Sequence, residues 1–89
     1  MKKEFKDYLI AQGYKEYTPS RNPSTVYDYG KRIERVCEWE HLDWYELSKQ
    51  IKTIRPMYEE GGSKAELGRK SNNAVRCALR CFENFVFKK

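Results

Sequence analysis

The residues able to do chemistry are few in this chain. Its single histidine, His41, sits between Glu40 and Leu42 with no second nitrogen or sulfur ligand at metal spacing, and it reads as a surface or helix-terminal side chain. The three cysteines, Cys37, Cys77 and Cys81, contain no C-x-x-C pair. Cys77 and Cys81 lie four residues apart, but two thiolates without two further ligands do not hold zinc. Gly61-Gly62-Ser63-Lys64 has the residue types of a phosphate loop without the G-x-x-x-x-G-K-[ST] order or a strand before it. The carboxylates alternate with bases as on solvated helix faces, and no pair is singled out for general acid and base roles. No catalytic constellation, metal, cofactor or small-molecule substrate is expected, and the chain is not expected to be an enzyme.

Cation chemistry remains. The net charge is +5, and its placement is uneven. Residues 1–68 carry twelve Lys or Arg against twelve Asp or Glu, whereas residues 69–89 carry Arg69, Lys70, Arg76, Arg80, Lys88 and Lys89 against Glu83 alone. A basic stripe on one element is the electrostatic footprint of a nucleic-acid surface; an evenly spread excess would speak only for solubility. Arg and Lys neutralise phosphates, Arg also grips guanine in a two-pronged contact, and Asn does the same with adenine. Asn72, Asn73, Arg76 and Arg80 fall in the first half of one helical segment, whose start near Ser71 offers free backbone donors to a phosphate. The competing reading is a solvated helix face.

Four helical segments position these residues. The first runs from about Lys2 to Gln12, with Phe5, Tyr8, Leu9 and Gln12 at 3.6-residue spacing and Gly13 where a left-handed C-terminal residue belongs. A polar link from Tyr14 to Asn22 follows, with Tyr14 and Tyr17 as its anchors. The second helix, about 24–40, opens at Asn22-Pro23-Ser24-Thr25, with Asn22 or Ser24 as N-cap. Val26, Tyr29, Ile33, Val36 and Cys37 make its apolar face; Asp28, Lys31, Arg32 and Arg35 make the opposite one. Gly30 costs about 1 kcal/mol relative to Ala in a helix interior, and close approach of another helix is the simplest compensation.

The third helix, about 44–55, has the clearest start: Asp43 as N-cap and Glu46 three residues later form a capping box, with Leu42 and Leu47 as its staple. Trp44, Leu47, Ile51 and Ile54 give its buried stripe, and Pro56 should end or kink it. Glu59 to Lys64 reads as a loop, followed by an optional short turn from Ala65 to Leu67 closed by Gly68. The fourth helix, about 71–87, carries Val75, Ala78, Leu79, Phe82, Phe85 and Val86 on one face and Asn73, Arg76 and Arg80 on another. Nothing alternates with period two, so the expected class is all-α, a small four-helix bundle with room for that extra turn.

Length and composition agree. Eighty-nine residues hold one domain, and thirteen aromatics supply the large side chains a small core needs. No apolar run approaches the roughly 20 residues that cross a bilayer, and the stretch from Met1 to Asp7 lacks the apolar segment of a secretory signal. The cysteines are expected to be reduced and helix-packed, in a cytoplasmic protein with no membrane partner.

Phe5-x-x-Tyr8-Leu9, Gly13-Tyr14, Ser24-Thr25-Val26-Tyr27-Asp28-Tyr29 with Arg32-Ile33, and Lys70 to Val75 leading into Ala78-Leu79-Arg80-Cys81-Phe82-x-x-Phe85-Val86 together carry a resemblance. The order resembles the N-terminal core-binding, SAM-like domain of tyrosine recombinases, the phage integrases, over nearly the whole chain. The resemblance implies a small helical bundle from a phage or other mobile element that grips duplex DNA, its second and fourth helices facing the major groove. It implies that Lys31, Arg32 and Arg35, and Asn73, Arg76 and Arg80, lie near DNA. Arg69, Lys70 and Asn72 join them on charge and residue type. The catalytic domain of that family has no counterpart in these residues, so strand cleavage is not expected. The first expectation is therefore a non-catalytic binder of double-stranded DNA. The alternative is a protein–protein interaction module of a phage or mobile element, in which the acidic patch Glu38, Glu40, Asp43 and Glu46 flanks an exposed Trp39 or Trp44.

Overall fold

Phe5 and Leu9 are one helical turn apart and both fully buried, which makes the first element, α1 (Lys2–Ala11), an inward-facing stripe with lysines outside. The computed structural model describes residues 1–14 and 25–87, without the side chains of Ser71 and Asn72. Asn22, Pro23 and Ser24 at the second helix start, Tyr17 in the link, the side chain of Asn72, and Lys88 and Lys89 thus lie outside the described residues. Gly13 follows α1 with φ +100°, the left-handed conformation its position calls for.

Helix α2 (Thr25–Glu40) buries Val26, Ile33, Val36 and Cys37. Gly30 is buried too, but what approaches it is the Lys2 side chain rather than a helix backbone: a Cβ there would stand 3.9 Å from Lys2 Cε. Helix α3 (Trp44–Met57) begins as the capping box requires, with the Asp43 carboxylate accepting the Glu46 N–H at 2.7 Å. It runs past Pro56 and stops one residue later, where the Tyr58 N–H returns to the Arg55 carbonyl at 3.0 Å. A proline in the last turn forfeits one ladder bond and no more, since little helix remains to be disrupted.

The optional turn forms as α4 (Ala65–Gly68), and α5 (Lys70–Phe87) closes the chain. Five helices and no strand make the described residues all-α, a small helical bundle. None is long and apolar enough to cross a membrane. α5 is the hub: it packs on each of the other four helices, and Val75, Ala78, Leu79 and Phe82 on its inner face are buried. At its C-terminal half the rings of Phe5, Trp44, Phe82 and Phe85 pack with centroids 5.3–6.0 Å apart. Edge-to-face geometry between Phe5 and Phe82, at 89°, suits the opposed charges of ring edge and face.

The connection between α3 and α4 is drawn tightly onto α3. Gly61 takes φ +84°, and a Cβ on Gly62 would run into the Pro56 and Met57 carbonyls. The Lys64 N–H reaches the Met57 carbonyl at 2.8 Å. Buried Tyr58 donates its phenol to Glu40 at 2.7 Å, and Lys64 pairs with the same carboxylate, so the end of α2 holds the loop in place. Glu59 and Glu60 are thereby fixed in direction.

Candidate nucleic-acid interface

On its outer side α2 places Arg32 and Arg35 one turn apart, and α5 starts beside them. Arg32, Arg35 and Lys70 line one open groove of about 360 Å³ with Trp39, Leu67 and Val75. Lys31 adjoins it, lining a second shallow groove with Arg32 and Arg35. Arg32 pairs with Asp28 at 2.9 Å while its Nε is buried without a hydrogen-bond partner. Arg35 reaches Glu38 at 3.3 Å with both side chains exposed, a contact of small energetic worth. Lys31 stands 5.4 Å from the Tyr27 ring centroid. Neither Lys31 nor Lys70 has a carboxylate partner among the described residues.

Arg69, Arg76 and Arg80 are engaged differently, each by the acids after α3. Arg69 grips both oxygens of Glu60 at 2.8 and 3.0 Å. Arg76, only 7% exposed, reaches Glu60 at 3.3 Å. Arg80 donates to both oxygens of Glu59, which also accepts from Arg55 at 3.1 Å; Arg55 in turn holds Glu83 at 2.7 Å. These contacts set the acidities. Hydrogen bonds from Arg69 and then Arg76 bring the Glu60 carboxyl down to about 2. The Arg80 hydrogen bond holds Glu59 below its ordinary value. Burial alone would raise Glu40, but hydrogen bonds from Lys64 and Tyr58 outweigh it and keep the group low.

Asn73 is exposed and adopts φ +69° in the first turn of α5, a left-handed value uncommon for a residue other than glycine. The residues singled out by type and spacing thus divide in two: Lys31, Arg32, Arg35 and Lys70 around a shared groove, and Arg69, Arg76 and Arg80 within an ion-pair network. Glu59, Glu60 and Arg55, which complete that network, carry no local signal in the sequence. In the apolar lining of the groove Leu67 also lacks one, and Trp39 stands out only as a candidate for protein docking.

Two of the thiols, Cys37 and Cys81, are not poised for nucleophilic work. Burial pushes Cys37 up to about 11 and raises Cys81, so both stay protonated near neutral pH. Among the described residues no three His, Cys, Asp or Glu side chains are grouped to hold a metal ion. Comparison with protein-family models, with curated proteins and with solved structures finds no match for this chain.

Proposed function

We propose that this domain binds double-stranded DNA without catalysis, through the groove between α2 and the start of α5, with Lys31, Arg32, Arg35 and Lys70 on the phosphates. The observation that carries this reading is that Arg32 and Arg35 share one open groove with Lys70, which lies 38 and 35 positions after them in sequence. The interface is narrower than the charge count implies. Arg69 and Arg80 each give two hydrogen bonds to one carboxylate of the same chain and Arg76 is buried against Glu60, whereas Arg32 and Arg35 each make a single such contact, so the first three are less available to phosphate. Phosphate contacts of this kind hold and orient a duplex and carry little sequence information.

The groove sets the expected salt dependence. Two lysines without carboxylate partners account for a slope of log affinity on log salt of about −1.8, and all four cations for about −3.6. Anisotropy of a labelled duplex across a salt series tests it. Lys31→Ala with Lys70→Ala should flatten the slope by about 1.8 without unfolding the bundle, since both side chains are exposed. No binding near ~50 mM salt, or a slope near zero, rejects the reading.

Docking onto a protein through an exposed indole finds less support. Trp39 stacks on Tyr58 at 6.2 Å and 17°, and Trp44 belongs to the Phe5–Phe82 cluster, both half-buried.

A further inference from the structure

Tyr45, Lys49 and Lys52 are spaced four and three residues apart on α3, so they form one outward stripe spanning roughly 10 Å along the helix axis. Tyr45 is 60% exposed, the most open of the large hydrophobic side chains among the described residues, and Phe87 at the end of α5 is 47% exposed. The Lys49 ammonium lies 4.6 Å from the Tyr45 ring centroid, and the Lys52 ammonium 4.5 Å from that of Phe87. Each exposed ring is thus covered by an exposed lysine that has no carboxylate partner among the described residues. The contrast with the arginines is sharp: Arg32, Arg35, Arg55, Arg69, Arg76 and Arg80 each have an internal acid. In the sequence Lys88 and Lys89 follow Phe87 directly, so the charge of this end is further increased.

We infer that this face, Tyr45, Lys49, Lys52 and Phe87, is a binding surface for single-stranded nucleic acid, distinct from the groove between α2 and α5. A polyanion that brings its own flat rings satisfies both kinds of side chain at once. A phosphate draws each ammonium off its ring, and an unpaired base takes the ring face it vacates. The exchange is easy, because a solvent-exposed cation–π contact is weak. A duplex offers the lysines phosphates but keeps its bases stacked on one another, leaving the tyrosine and phenylalanine unused. An acidic protein is the weaker fit, since lysine is depleted from the cores of protein interfaces whereas Lys beside exposed aromatics is the composition of a stacking groove.

The test uses the intact chain and three labelled probes: an oligothymidine of about 12 nucleotides, a duplex and poly-glutamate. The oligothymidine should bind more tightly than poly-glutamate, and Tyr45→Ala and Phe87→Ala should each weaken it by about 5-fold or more while leaving duplex affinity unchanged. Lys49→Gln with Lys52→Gln should flatten its salt slope by about 1.4. Both ring positions are surface-exposed, and circular dichroism of the variants verifies that the bundle persists. Unchanged oligothymidine affinity in both ring variants overturns the inference. So does poly-glutamate binding that is tighter than oligothymidine and falls with Tyr45→Ala, which assigns the face to an acidic protein. Equal loss of oligothymidine binding in Lys31→Ala with Lys70→Ala assigns that binding to the α2–α5 groove and likewise overturns it. Because the groove variants report on the duplex and the ring variants on the single strand, either reading can fail with the other intact.

Discussion

Arg80 of α5 clamps Glu59, just beyond α3, through two parallel hydrogen bonds of 2.7 and 2.5 Å. The partners are 21 positions apart in the chain, with α4 between them, so the pair closes the loop onto the hub helix. Paired charges in this fork geometry are stronger than neutral hydrogen bonds. Glu59→Gln keeps the shape and removes the charge, leaving Arg80 to water while Arg55 keeps its contact with Glu83. The expected outcome has two signs: stability falls by about 1–2 kcal/mol in a urea titration, while duplex affinity rises because the freed Arg80 guanidinium becomes available to phosphate. A variant that loses stability with no gain in affinity restricts these arginines to a structural role.

The same carboxylates make stability depend on pH. Glu59 and Glu60, held by arginines, and Glu40, held by Lys64 and Tyr58, all have lowered acidities in the folded chain relative to the ordinary 4.5. Between the folded and unfolded values the unfolded chain binds more protons, so stability rises with pH in that window. It is therefore fully present above 4.5 and is lost as pH falls through the folded values, toward about 2 for Glu60. Thermal melts should show a constant Tm from neutrality down to about pH 5.5 and a steady fall below about pH 4.5. A Tm unchanged down to about pH 3 contradicts the ion-pair network.

Two glycines should respond to alanine in opposite directions. At Gly30 the new methyl meets only Lys2 Cε at ordinary contact distance, so Gly30→Ala should stabilise α2 by up to about 1 kcal/mol. At Gly68 it collides with the Tyr58 carbonyl, part of the backbone and unable to yield cheaply, so Gly68→Ala should destabilise by several times that amount. Denaturant midpoints moving apart in this way are the check; movement in the same direction refutes the packing around one of the two.

Tyr58→Phe isolates the tie between α2 and the loop. The ring is fully buried and stacked on Trp39, so phenylalanine preserves packing and deletes only the hydrogen bond to Glu40. A loss of about 1–2 kcal/mol is expected, as for a bond to a charged acceptor. Spectrophotometric titration supplies a second reading. Burial first, then the Glu40 contact, raises the Tyr58 phenol, and burial carries Tyr29 to about 12. Both should therefore ionise above the ordinary tyrosine value of 10.0.

The helices, their apolar stripes and the Asp43 cap are legible in the sequence because each follows from spacing over a few residues. Phe5 and Leu9, or Val75, Leu79 and Phe82, must share a face on any 3.6-residue helix, and once they do, a core has to form there. The groove was partly legible in the same way, through Lys31, Arg32 and Arg35 on one side of α2. That Lys70 joins them, and that Arg69, Arg76 and Arg80 do not, was decided only by tertiary structure. Ion pairing over distance depends on the path of the loop after α3, which Gly61 and Gly62 bend back so that Glu59 and Glu60 face α5. Local composition records how much charge a segment carries. Which charges neutralise one another and which stay open to a ligand is a matter of three-dimensional proximity, and no spacing rule within a single helix contains it.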